Sequence, residues 1–421
     1  MKVLHVIPSI SPVRGGPSQA ILEMVNALRL HGVEAEIVTT NDHGDGLLDL
    51  PLKRRISYPV YVSQPMGATV PVRLFPRFSP DVNAVREYAF SSDLTQWLWH
   101  NVKKYDLIHI HAIFSYPSTV AMAIARYHRV PYIVRPLGQL CQWSLKQGAM
   151  KKQLYLNLIE RANIQSAQAL HFTSVQEQEE ASQLGLTAPG FVMPHGLSYT
   201  LPLPDASQQL RQRLNIPANE PIILFLSRLH PKKGLEPLIK ALQTVKSHPF
   251  TFVIAGSGSP EYETAIAQHL MDAGLERRTH WLGFVSGELK QLLLQGSDLF
   301  ALTSHSENFG IAALEAMASG LPVLLSSGVA LSSLVQQHRL GWITTQEPPA
   351  IATILQQFLN SPALAKEMGD RARRIVQQQY SWNHIAAKLT EHYSSVVQPR
   401  SNSQSTSTSS VAAFEGIRLL N

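Results

Sequence analysis

Two glutamates, Glu307 and Glu315, stand eight residues apart in the stretch ENFGIAALEAMASGLPV. The preceding residues, SDLFALTSHS, read as a strand that runs out into a loop, and helix-forming residues begin near Ile311. Glu307 is then expected in the loop, with Phe309 and Gly310 supplying backbone donors at the helix amino end. Glu315, about two turns on, shares a face with the small residues Ala312, Ala316 and Ser319, which leave room for a ligand. Carboxylates at two depths can accept hydrogen bonds from two sets of hydroxyls. Glutamates on a helix are ordinarily just solvated; the apolar surroundings and the loop-to-helix setting favour a binding role here.

A second group is SRLHPKKG, Ser227 to Gly234. Arg228 and Lys233 sit on one loop just before a helix, where two cations beside a positive dipole end can neutralise a diphosphate. A third is the loop SISPVRGGPSQAI, in which Gly15 and Gly16 let backbone N–H groups approach an anion at the start of a helix. A glycine turn that merely connects two elements accounts for it equally well. In YDLIHIH, the two-residue period of a strand sends His109 and His111 to the same side, with His111 at the carboxyl end. A histidine in that place is often only a hydrogen-bonded core residue.

The elements that must position these groups alternate between short β-rich runs and longer helical ones. KVLHVIPS reads as a strand, Ser18 to His31 as a helix, VEAEIVTT as the next strand. The rhythm resumes with YDLIHIH, a helix near 116–128, the strand VPYIVR, a helix from about Met150 to Ser166, ALHFT, and a helix ending near Leu184. It restarts after the proline-rich segment HGLSYTLPLPDAS with PIILFLS, a helix from Gly234, FTFVIAGSG, THWLGFV, SDLFALT, LPVLLSS and GWITT. Two successive α/β domains of the Rossmann-like, doubly wound type are implied: 1–197, a linker at 198–207, and 208–380. A last helix, 381–397, is expected to pack back on the first domain, and the polar run 398–421 to be a disordered tail. Ligands of such sheets bind beyond the carboxyl ends of the strands, so the loops named above would face one another across a cleft.

Composition narrows the alternatives. With 44% apolar and 16% charged residues over 421 positions, the chain is globular and long enough for two cores. The single cysteine, Cys141, excludes an internal disulfide and reads as a packing residue. The opening MKVLHVIPSI is too short for a secretory signal, and no apolar run is long enough to span a bilayer, so a soluble, cytoplasmic protein is expected. A net charge of +6 suits an acidic partner. The basic residues are scattered without interleaved aromatics, which speaks against nucleic acid and leaves an anionic membrane surface or a phosphorylated substrate.

Taken in order, these motifs resemble the retaining glycosyltransferases of the GT-B fold, in particular the GT4 family of bacterial polysaccharide and lipid glycosyltransferases. The carrying pattern is the pair Glu307 and Glu315 within SENFGIAALEAMASGLPV, supported by SRLHPKKGLEPLI, AGSG at 255–258, GFV at 283–285, MPHGL at 193–197 and the Gly15-Gly16 loop. The resemblance implies that Glu307 holds hydroxyls of the donor sugar and Glu315 those of the ribose. Arg228 and Lys233 would bind the diphosphate, with Gly16 adding a backbone contact and Gly258 lying near the donor. Backbone groups of Phe284 and Val285 would meet the base, and those of Asn308, Phe309, Gly310 and Ile311 the sugar and phosphate. His111 would lie near the reacting sugar, with His109 structural. In VRPLGQL, Arg135 stands where many relatives carry a histidine, which points to an anionic acceptor contacted by Arg135 and Lys151, unless both are structural surface charges.

The reaction so implied moves a sugar from a nucleotide diphosphate sugar to an acceptor hydroxyl with retention. It needs no metal or other cofactor: neither an Asp-x-Asp motif nor a Cys/His cluster of zinc spacing is visible in the sequence. The expected partners are a UDP- or GDP-sugar and a carbohydrate or lipid-linked acceptor, with peripheral contact at the inner membrane face as an added option. Aromatics between 51 and 100, Tyr58, Tyr61, Phe75, Phe78, Trp97 and Trp99, are candidates for acceptor contacts or for packing of an insertion. Three rivals use a similar cleft: a sugar-nucleotide epimerase, a pyridoxal-phosphate-dependent phosphorylase, and a non-catalytic sugar-nucleotide sensor.

Overall fold

The computed structural model describes residues 1–60, 67–146, 149–198 and 201–397. Tyr61 and the expected tail at 398–421 lie outside the described residues. Strands rich in Val, Ile and Leu assemble into two sheets that are buried on both faces, as parallel strands require.

The first sheet has eight strands, in the spatial order Gly190–Val192, Ala169–Phe172, Tyr132–Arg135, Leu107–His111, Lys2–Val6, Glu34–Thr40, Thr69–Phe75 and Arg55–Pro59. All its pairs are parallel except the edge strand Arg55–Pro59, which runs antiparallel to Thr69–Phe75. The region read as an aromatic-rich insertion is therefore partly sheet. Tyr58 and Phe75 are buried in it, Trp97 packs 5.9 Å from Phe75, and Phe78 and Trp99 stay exposed. These aromatics do not gather on one surface.

The second sheet has six parallel strands, in the order Thr279–Trp281, Thr251–Ala255, Ile222–Leu226, Leu299–Leu302, Val323–Ser326 and Gly341–Thr344. In each sheet the strand order reverses once: between Lys2–Val6 and Leu107–His111 in the first, and between Ile222–Leu226 and Leu299–Leu302 in the second. Crevices open at such reversals because successive crossover connections leave to opposite sides. The loops that follow these four strands carry Gly15-Gly16, Ala112–Ser115, Arg228–Lys233 and Glu307.

The chain crosses between the halves twice, at Leu197 and at Tyr380–Trp382. The crossings are bonded to each other: Leu197 N–H donates to the Tyr380 carbonyl (2.6 Å) and Trp382 N–H to that of Leu197 (3.3 Å). The second crossing leads into helix Trp382–Val397, whose Trp382, Ile385, Ala386, Leu389 and Tyr393 join the core of the amino-terminal half beside helix Gly16–Leu30. Helix Ala206–Leu214 starts within the last residues of the expected linker.

Candidate active site

In the carboxyl-terminal half the two charged loops are fastened to each other. His305 N–H donates to the Lys232 carbonyl (2.8 Å) and the Thr303 hydroxyl to that of Gly234 (2.6 Å). Gly234 lies at φ +68°, and a Cβ there would fall 2.0 Å from the Thr303 carbonyl oxygen, so only glycine allows this approach. The ammonium of Lys233 forms an ion pair with the Glu307 carboxylate. The Glu307 backbone is held in turn by Gly328 and Ala330, at 2.8 and 3.0 Å. Arg228 is exposed on the same loop, and among the described residues it enters no ion pair.

Helix Ile311–Ala318 begins after Gly310, at φ +91°, and presents Glu315 one side over. Its carboxylate accepts from Lys290 Nζ at 2.7 Å. Lys290, on helix Gly287–Gly296, is a partner that sequence spacing does not disclose. Glu315 also contributes, behind burial, to holding the Glu23 carboxyl of the other half above its usual range. Phe284 is exposed and Val285 half-buried just before that helix, and the Gly258 amide is engaged by the Glu263 carboxylate (2.7 Å).

The loops of the two halves meet directly. A Cβ at Gly16 would lie 2.7 Å from Ile311 Cδ1. Asn308 donates to the Thr173 hydroxyl (2.7 Å), which donates to the buried Glu177 carboxylate (2.8 Å). The Phe309 ring is buried 5.0 Å from that of His195, and Lys232 sits 4.3 Å over Trp143. The structure thus brings Gly16, Asn308, Phe309, Ile311 and the Lys233–Glu307 pair to one region. Strain accumulates in the facing loops: Ala112, Phe114 and Leu137 adopt φ of 68°, 55° and 55°.

Beneath these loops the amino-terminal half holds a polar layer. Parallel pairing sets His5 beside His109, and His111 beside Arg135. With the two-residue period, all four side chains and that of His171 fall on the sheet face covered by helix Trp382–Val397. His111 Nε2 lies 3.0 Å from His5 Nδ1, His109 bonds the Tyr393 hydroxyl (2.6 Å) and His171 (3.2 Å), and His171 reaches the Met193 carbonyl (2.8 Å). Burial, assisted by the Arg135 charge, pushes the His5 imidazole down to about 3 and holds His109, His111, His171 and His195 well below their usual range. All five are neutral at pH 7.

Arg135 is therefore no surface charge. It is 1% exposed, its nearest polar side-chain contact is His195 (3.2 Å), and its Nε has no partner. Burial lowers it only to about 10, so it remains a cation. Lys151, by contrast, lies in the open on helix Ala149–Tyr155, away from this layer. His111 shares the burial of its neighbours, at the edge nearest the loops. One nitrogen from each of His5, His109 and His111 lies within 4.8 Å of the others, a metal-like grouping that sequence spacing alone does not show. The adjacent guanidinium opposes a second cation there. Cys141 is buried beside Asn308, its thiol pushed up to about 12 by burial.

Two α/β halves meeting through the loops at their reversal points define a GT-B architecture. Among solved structures of that kind, sucrose-phosphate synthase from Thermosynechococcus elongatus superposes with TM-score 0.75 at 20% identity, covering 94% of this chain and 99% of that one. The Anabaena protein HepE in complex with UDP-glucose gives 0.72 at 23% identity, covering 94% and 100%. Residues 15–196 match the family model described as glycosyl transferase 4-like domain, and residues 206–375 that described as glycosyl transferases group 1. With both halves matched, the chain belongs to the group 1 glycosyl transferases, GT4-type enzymes that transfer glycosyl groups. Its relatives include an uncharacterized glycosyltransferase of Methanocaldococcus jannaschii, 33% identical over 44% of this chain and 47% of that protein, about half the length of each. A D-inositol 3-phosphate glycosyltransferase of Xylanimonas cellulosilytica is 25% identical over 95% of this chain and 97% of its own length.

Proposed function

We propose that the protein transfers a sugar from a nucleoside diphosphate sugar to an acceptor hydroxyl, with retention at the anomeric carbon and without a divalent metal. The observation that carries this reading is the Lys233–Glu307 ion pair on loops at the strand-order reversal, with Arg228, in no ion pair among the described residues, on the same loop. A donor diphosphate would compete for Lys233 and take Arg228, leaving the Glu307 carboxylate to accept from sugar hydroxyls. Glu315 would meet the ribose in the same way, giving up Lys290. As the anomeric carbon–oxygen bond to the diphosphate breaks, the acceptor oxygen bonds that carbon from the same face. Its proton passes to the departing phosphate oxygen, and the two cations stabilise the charge that grows there.

That HepE was solved with UDP-glucose supports starting with uridine donors. That a relative matched over nearly its full length is named for D-inositol 3-phosphate supports an acceptor that itself carries an anion. Exopolysaccharide, lipopolysaccharide or glycolipid assembly are the settings such an acceptor belongs to. The test is release of free nucleoside diphosphate from a panel of UDP- and GDP-sugars in EDTA, for the wild type, Glu307→Ala and Arg228→Ala. Turnover of one donor that both substitutions abolish is expected. Tight donor binding with no release, across acceptors as well, would replace this reading with a sugar-nucleotide sensor.

A further inference from the structure

The segment after Trp143 carries a surface that the reaction does not use. From Ala149 to Gln165 the chain is one helical run, with a wide π turn at Leu156–Glu160 in its middle. Its inner side is firmly seated. Leu156, Glu160 and Ile164 are fully buried, and the Tyr155 hydroxyl contacts those of Tyr88 and Thr119, each at 2.8 Å. The outer side carries apolar residues among polar ones: Met150 is 85% and Leu158 73% exposed, with Leu154 and Ile159 also exposed and Gln153 and Asn157 beside them. Met150, Leu154 and Leu158 recur every four residues, so they form one stripe along the helix rather than scattered positions. A stripe of this kind, left in water beside a fully formed core, calls for a partner.

Charge says which partner. Between Gln142 and Arg161 the sequence holds Lys146, Lys151, Lys152 and Arg161 against one carboxylate, Glu160. Glu160 faces inward, accepting from the Thr119 hydroxyl, and burial raises it to about 7. Lys152 is tied to the Ser144 carbonyl at 2.7 Å and Arg161 to that of Leu184 at 2.9 Å, which leaves Lys151 exposed next to Met150 and Lys146 exposed at the end of the preceding helix. We infer that this face docks on an anionic lipid bilayer, with Met150, Leu154, Leu158 and Ile159 entering the interface and Lys146 and Lys151 meeting the headgroups. A second copy fits less well. A two-fold contact through the stripe would bring like charges together with no exposed carboxylate from this segment to pair them, and four side chains fall far short of the roughly 800 Å² per partner of a stable interface. No helix of the described residues is long and apolar enough to cross a membrane, so the contact is peripheral.

The placement matters because Lys152 fastens this helix to Gln142–Lys146, whose Trp143 lies under Lys232 of the other half. Docking would bring the place where the two halves meet close to the headgroup layer. The inference does not depend on the proposed reaction, and vesicle binding is read without turnover. Full-length protein is sedimented with vesicles of phosphatidylcholine alone and of phosphatidylcholine mixed with phosphatidylglycerol. Binding to the mixed vesicles only, weakened by high salt, is expected. The Met150→Ser/Leu154→Ser/Leu158→Ser variant should lose it by about tenfold or more, and Lys146→Glu/Lys151→Glu likewise, with unchanged circular dichroism and melting temperature. Equal sedimentation of the wild type and the serine variant would overturn the proposal. So would absence of binding to mixed vesicles, or a concentration-dependent dimer in size-exclusion chromatography that the serine variant abolishes.

Discussion

In the carboxyl-terminal half of the site, Lys233 is paired with Glu307 and Lys290 with Glu315, all four partly open to solvent. In the amino-terminal half, Arg135 is sealed among five neutral histidines and, among the described residues, forms an ion pair with no carboxylate, though the Glu177 charge acts on it. The contrast follows from where the residues sit on their strands. Loop residues beyond a strand end can keep an ion pair because water and ligand both reach it, and a ligand can exchange with either partner. Residues within the strands face a covering helix, and there a cation persists only by surrounding itself with lone pairs while desolvation keeps its neighbours uncharged.

The hardest test of this division is Lys233→Ala. Loss of a cation that stabilises the leaving group should lower kcat/KM by about 100- to 1,000-fold, while the melting temperature moves by no more than a few degrees. A collapse of the melt together with activity would make the pair a structural device like the histidine layer. The second test is acid. Each buried histidine has a folded pKa below its unfolded value near 6.5, so its contribution is fully present above that pH. It is lost as pH falls, at up to about 1.4 kcal/mol per pH unit for each group. For His5 the window runs from about 6.5 down to about 3. Glu160 acts oppositely: raised to about 7, it costs stability as pH rises from about 4.5 to that value, as does Glu23, also raised by burial, but these are two groups against five. Urea unfolding from pH 7 to pH 5 should therefore show a steep loss of stability, and His5→Leu should flatten the slope. A flat profile would mean that the layer is already protonated.

A smaller effect is expected of Arg135→Met. Replacing an unpaired buried charge by an apolar chain of similar length should change stability by less than about 2 kcal/mol, with either sign acceptable. It should also let the neighbouring histidines titrate at higher pH, so that acid unfolding becomes less steep. Loss of more than about 4 kcal/mol would show that the guanidinium organises the layer. The least disturbance should come from Lys290→Ala. A partly exposed pair is worth about 1 kcal/mol or less, which corresponds to up to about fivefold in donor KM, with kcat retained. Isothermal titration with the donor would separate these effects.

The sequence exposed one half of this comparison much better than the other. Glu307, Arg228 and Lys233 are legible because glycine, cations and carboxylates at a strand end are local patterns, and a strand-loop-helix transition is itself local. His109 and His111 could be placed on one face by period alone. That His5 lies beside His109, and Arg135 beside His111, depends on which strands are neighbours, and strand order is not written in any short stretch. Lys290 was invisible for a related reason: it reaches Glu315 from a different helix. Thr69–Phe75 does alternate in TVPVRLF, but its pairing with Arg55–Pro59 joins residues more than ten apart for most of its length and no local pattern announces it. The helix from Ala149 was located closely, whereas its π turn and its exposed stripe needed coordinates.

The two bonded crossings at Leu197 and Tyr380–Trp382 have a mechanical meaning for the molecule. Two bodies joined at a single point can swing and slide in many directions. Joined by two backbone segments bonded side by side, they cannot be drawn apart at that corner without breaking both bonds together. A swing of one half about these crossings would part Gly16 and Ile311, Asn308 and Thr173, and Trp143 and Lys232 together. Registration of the two halves is thereby built into the covalent chain.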